Sequence, residues 1–155
     1  MNPQVDQNGP SIRIELRLRT IRTLWFAMLM SLVMWYVLTL FVGRPPDRAP
    51  NNTLFLVLFI AAVLTTLISF VIKNALVSKA IDRQQPLMVQ QAYIVAYAIN
   101  EVGGLLAILD YFVTGDRYYY VMLIVAGLGL LLQIPKREHV ENASFKRSGP
   151  SDAWQ

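Results

Sequence analysis

Glu101 is the residue whose type and position most invite a chemical reading, because it stands near the middle of an otherwise apolar block. A charge at the centre of a bilayer costs at least about 2.5–3.5 kcal/mol on insertion scales, so an intramembrane acid is expected either to work or to bond to a neighbour. Tyr97, one helical turn earlier, and Asn100 beside it are the candidate partners for a bound proton or cation. Thr65, Thr66 and Ser69 in the preceding apolar block could add hydrogen bonds. The alternative is a neutral carboxyl that hydrogen-bonds between helices as packing glue. The residues leave both readings open. Asp110 lies nine residues after Glu101, about 180° around a helix, so the two acids form no pair on one face. Its position near the end of the block predicts that it faces headgroups or a neighbour.

Other chemistry is poorly provided for. The chain has no cysteine, which removes disulfides, thiolate catalysis and Cys-based metal sites. Its single histidine, His139, is expected to be solvated in a tail. Gly127-Leu128-Gly129 follows no strand and lacks the Lys-Ser/Thr of a phosphate loop. There is no Ser/His/Asp set and no dinucleotide fingerprint. No catalytic residue, metal ligand or cofactor is therefore assigned, and an enzyme is not expected. Gly103, Gly104 and Ala107, and Gly127 and Gly129 further on, are small residues of the kind that let helices approach closely. Met28, Met30 and Met34 with Trp35 and Tyr36 read as core or lipid contact.

The elements that would position these residues follow from hydropathy. Apolar residues make up 55% of the 155, charged residues only 15%, and the charges separate four apolar blocks. A soluble domain carries about 25% charged residues. The blocks run about 23–43, 54–72, 92–113 and 118–134, and about 20 apolar residues are needed to cross a bilayer as a helix. They are apolar on every side for longer than a barrel strand, which alternates over about 10 residues. The predicted fold is all-α: an antiparallel bundle of four transmembrane helices. The fourth span, at 17 residues, is short. Residues 1–22 read as a cytoplasmic tail and interfacial helix, and 135–155 as a cytoplasmic tail, polar and unstructured from Glu138 onward. Within the first of these, Ile12, Ile14, Leu16 and Leu18 alternate with charges as in a strand. Ile14, Leu18, Ile21 and Trp25 also share one helical face, and the segment runs into the first span without Gly or Pro, which favours a helix with that face in lipid. Lys73 opens a polar stretch that extends to Gln91. No cleavable signal peptide is recognised, and the first span is expected to act as its own insertion signal.

Orientation follows from Lys and Arg. The N-terminal segment, the middle loop and the C-terminal tail together hold eleven, and the two other loops hold three. The richer side is expected to face the cytoplasm. Trp25 and Tyr118, Tyr119 and Tyr120 fall at expected membrane interfaces. The net charge of +4 is thereby accounted for by topology, and nucleic acid is not an expected partner.

The run Ala98-Ile99-Asn100-Glu101-Val102-Gly103-Gly104-Leu105-Leu106-Ala107 joins Tyr118-Tyr119-Tyr120, the stop Ile134-Pro135-Lys136-Arg137, and Leu18-Arg19-Thr20-Ile21-Arg22 leading into Trp25-Phe26-Ala27-Met28-Leu29-Met30. Together these resemble a group of small four-helix bacterial membrane proteins with a Glu inside the third helix and a Pro-basic stop after the fourth. The resemblance covers most of residues 18–137 and implies the fold and the bacterial inner membrane, with no activity attached. More remotely, the hairpin around Glu101 is similar to the proteolipid c subunits of rotary ATPases, which carry an ion on a mid-membrane carboxyl. Only Glu101 carries over. The first two spans lack the glycine-rich stripe of those subunits, and the first span offers no polar match to Glu101.

The expected role is a multi-pass, non-enzymatic membrane subunit or scaffold, in contact with the bilayer and with a second copy or a membrane-complex partner. The alternative is a proton or cation carrier built on Glu101.

Overall fold

The computed structural model describes residues 9–43, 52–115 and 117–144, and side chains from Ile14 onward. The expected tail over residues 1–8, most of the Pro-rich turn after Gly43 and the chain beyond Ser144 lie outside the described residues. Those described form five α-helices and no strand: α1 (Gly9–Val42), α2 (Asn52–Asp82), α3 (Pro86–Thr114), α4 (Tyr119–Leu132) and α5 (Arg137–Ser144).

Three of these are long and apolar enough to cross a membrane, over Ile14–Val42, Asn52–Asp82 and Pro86–Thr114. At 1.5 Å per residue, α1, with 34 residues, is about 51 Å long. A hydrocarbon core is only about 30 Å thick. These helices therefore reach well beyond any bilayer they cross. By contrast, α4 has 14 residues and is about 21 Å long. It meets the same test only when joined to α5, from which it is bent by 45°. The bend falls at Pro135, whose ring removes a backbone donor and disfavours helical geometry in Ile134.

The excess length changes several sequence-based boundaries. The N-terminal segment is helical, as its spacing favoured, and α1 runs through it unbroken. Its apolar face, however, does not lie in lipid. Ile14, Leu18 and Ile21 are buried, and α1 packs on α5. Ile14 and Ile21 belong to one apolar cluster with Val77, Ala80, Val89, Val140 and Ala143. The polar stretch from Lys73 to Gln91 is mostly helix, reduced to a turn at Arg83–Gln85 between α2 and α3. Gln84 takes the left-handed backbone conformation there (φ 53°), and its amide nitrogen donates to the Ile81 carbonyl at 3.0 Å. Pro86 then starts α3 at a position where the missing N–H costs nothing. The segment after Glu138, expected to be unstructured, contains most of α5.

The centre of the molecule is α3. It packs along α2 over the longest interface, along α4 next, and then on α1. Gly115 ends α3 in the left-handed conformation (φ 66°), its N–H returning to the Tyr111 carbonyl. Among the described residues α1 does not touch α2, its neighbour in sequence, but lies over α3 and α4 on the other side.

Candidate functional site

Three groups of polar residues stand out. In the first, Glu101 is half-buried on α3, and the Ser31 hydroxyl of α1 donates to its Oε1. No polar match for Glu101 is expected in the first span. Ser31 is that match, a lone hydroxyl inside Met-Leu-Met-Ser-Leu-Val-Met. Next to it Leu32 of α1 lies directly over Gly104, so tightly that a Cβ there would meet the leucine methyl.

The second group is a buried seam among α2, α3 and α4, and it takes the residues expected beside Glu101. Asn100 is fully buried and donates to the Ala126 carbonyl of α4 at 2.7 Å. Its oxygen lies against Gly129, where a Cβ would meet both that oxygen and Thr66 Cγ2. Tyr97, also fully buried, donates to the Gln133 carbonyl at 3.2 Å. Gln133 in turn donates from Nε2 to Ser69 Oγ at 2.6 Å. The last carbonyls of a helix have no partner within it. Helical side chains lean toward their own N-terminus. Both facts carry Tyr97 toward the end of α4 rather than toward Glu101. Thr65 and Thr66 donate to the Ala62 carbonyl of their own helix. Glu101, Tyr97 and Asn100 therefore share a helix but not a site.

Of the small residues, Gly103 faces Thr65 and the Ala62 carbonyl at the α2–α3 crossing, and Ala107 is fully buried. Gly127 is different: a Cβ there would meet nothing within 4 Å. It lines an apolar cleft of about 480 Å³ between α1 and α4, with Leu29, Val33, Tyr36, Tyr120 and Ile124 among its walls. Asp110 does not face headgroups. It is fully buried and accepts from the Thr114 hydroxyl, at 3.0 Å on Oδ1 and 2.8 Å on its backbone oxygen.

The third group lies at the end of the bundle that holds α5. Tyr93 is its hub. The tyrosine oxygen accepts the Lys136 N–H at 3.2 Å and is 2.8 Å from His139 Nδ1. Lys73 Nζ sits over the Tyr93 ring, 5.9 Å from its centroid, and over Phe70 at 5.2 Å. Lys73 is buried, although it opens the polar stretch that runs to Gln91. His139 is half-buried within α5 rather than solvated in a tail. Burial holds its pKa below the ordinary value of 6.5; Lys73 and then Lys136 push it the same way, and Glu138 opposes them. The Tyr93/Tyr97 spacing, one turn apart, and the Val140/Ala143 stripe beside the lone histidine were the available sequence signals for this cluster.

Among the described residues no group of three His, Cys, Asp or Glu side chains is placed to hold a metal ion. No protein-family model, curated protein or solved structure matches the chain.

Proposed function

We propose that this chain is a four-span protein of the bacterial inner membrane, with both termini cytoplasmic, that serves as a non-enzymatic membrane subunit or scaffold. The observation that carries the reading is the use made of its buried polar groups. Asn100, Tyr97, Gln133, Ser69 and Thr66 bond to one another's helices or to their own backbone, as packing bonds do. The apolar surface is correspondingly broad: Phe26, Met30, Met34, Leu40 and Phe41 of α1 and Leu56, Val57, Ile60, Leu64 and Val71 of α2 all face outward. In this reading α4 crosses the bilayer despite its length, by standing upright or by local thinning. Mass analysis of the protein purified in mild detergent is expected to find it with a second copy or another membrane protein in fixed stoichiometry. A strictly monomeric, partner-free species would count against a subunit role.

One observation favours the carrier as a second reading. Glu101 bonds across the α1–α3 seam, as Tyr111 does further along, and it is half-buried where Asn100 is sealed. In reconstituted vesicles, proton or sodium flux that is lost in Glu101→Gln would support it. Equal flux in both, no greater than in empty vesicles, would leave Glu101 as a packing bond.

A further inference from the structure

Among the described residues, the end of the bundle around Tyr93 carries more positive charge than its acids balance. Lys73 is 92% shielded from solvent, and its described contacts are ring faces, not carboxylates. His139 meets the same tyrosine through Nδ1 and Lys136 through its backbone N–H, and both lysine charges act on the His139 ring. The nearby acids are committed or turned away. Glu141 is bound to Arg137 at 2.6 Å, the one ion pair among the described residues. Asp82 and Glu15 are exposed, and Glu138 only partly offsets the two lysines at His139. On α1, which packs on α5 at this end, Arg17 also encloses Nη1 without an acceptor among the described residues. Burying an ammonium without a counter-charge is costly, and the nearby charge of Lys136 adds repulsion. An anion would relieve both.

We propose that Lys73, Lys136 and His139 form a binding site for a phosphate group. The two lysines supply charge and donors, and His139 adds a further donor through Nε2 when Nδ1 accepts from Tyr93. Lys73 directly follows the second apolar block, and Lys136 follows Pro135 at the close of the fourth. On the four-span reading this is the depth of cytoplasmic headgroups, where basic pockets between helices hold anionic lipids. A phosphodiester of a lipid and a free phosphate offer the same oxygens, and experiment separates them.

The test uses the full chain, delipidated in a neutral detergent, with thermal unfolding followed by tryptophan fluorescence. Phosphatidylglycerol is titrated against phosphatidylcholine, and sodium phosphate against sodium chloride at equal ionic strength. Binding is expected to raise Tm with phosphatidylglycerol beyond the phosphatidylcholine control. A matching rise with inorganic phosphate identifies a free phosphate as sufficient, and its absence assigns the site to the lipid headgroup. Lys73→Met keeps the apolar stem over the rings and should weaken the response about tenfold or more, the loss of one charge-assisted contact. Lys136→Gln, at an exposed side chain, should weaken it too and serves if Lys73→Met does not accumulate. Lys79→Met, an exposed lysine on the same helix, should respond as wild type. The proposal is overturned if neither anion raises Tm above its control, or if the Lys73 or Lys136 variant responds as strongly as the Lys79 variant.

Discussion

Two helices of similar apolar character are held in opposite ways. Half of the membrane-length window of α3 is buried within the protein, and only 11% of that of α1. Around α3, glycines at positions 103 and 129 bring neighbouring helices into close contact, and Asn100 bonds across the gap. Along its apolar part α1 is instead fastened at intervals. The Trp25 indole donates to the Leu130 carbonyl at 2.8 Å, Ser31 reaches Glu101, and Thr39 lies 2.8 Å from the Tyr119 hydroxyl while its carbonyl accepts from Tyr111 at 2.9 Å. Between the fasteners the cleft beside Gly127 stays open. In lipid there is no hydrophobic drive between helices. Apart from Leu32 over Gly104, α1 lacks close packing on small residues along its apolar part and relies on separate polar contacts, so α2–α4 are expected to form the stable unit and α1 the adjustable one. Its N-terminal end is the exception, since Ile14, Leu18 and Ile21 pack as a soluble core does.

The largest effect expected from this contrast is at the glycines of α4. Gly129→Leu should destabilise the protein by about 1–3 kcal/mol, the usual cost of overpacking, because Asn100 and Thr66 leave no room. Gly127→Leu should be near neutral, two residues away on the same helix. Equilibrium unfolding of both variants in mixed micelles checks this. Equal losses would mean that α4 packs evenly and the contrast is wrong. A smaller effect is expected at the fasteners. Trp25→Phe and Ser31→Ala should each cost about 0.6 kcal/mol, typical of hydrogen bonds between membrane helices. Hydrogen exchange should rise in α1 and stay unchanged in α3. Exchange rising equally in both helices would show one cooperative unit instead.

Much of this was legible in the sequence and some could not have been. The apolar blocks located α1 to α4 because long apolar helices are marked by length and hydropathy alone. The Ile14/Leu18/Ile21 period gave the right secondary structure and the wrong neighbour: an apolar stripe looks the same whether it faces lipid or the Val140 and Ala143 stripe of α5. Glu101 stands out in the sequence as a carboxyl inside an apolar block, but its bond to Ser31 depends on α1 passing over α3 rather than packing on α2, and chain order does not specify that. Tyr97 and Asn100 were drawn to Glu101 by proximity in sequence, whereas the unsatisfied carbonyls near the end of α4 and the gap at Gly129 attract them in space. Lys73 marks a polar stretch and His139 reads as solvated because charge is normally a surface signal, yet the packing of α5 on α2 and α3 buries the first and half-buries the second.

The smallest expected effect is in the docking of α5. His139 is held below its ordinary pKa of 6.5, so the undocked state binds its proton more readily. Docking is then favoured fully above that ordinary value and weakens as pH falls toward the lowered one. In protein free of anionic lipid, exchange at Val140–Ser144 should accelerate on acidification through this range, and His139→Gln should flatten the response. An unchanged slope in that variant would place the titrating group elsewhere.

The central claim, four spans with both ends inside, rests on whether α4 crosses. The chain lacks cysteine, so single cysteines can report it through an impermeant maleimide applied to intact cells. Arg48→Cys should label at once, while Gln84→Cys and Gln155→Cys should label only after permeabilisation. Labelling of Gln155→Cys in intact cells, with Gln84→Cys still protected, would show that α4 does not span and would contradict the account.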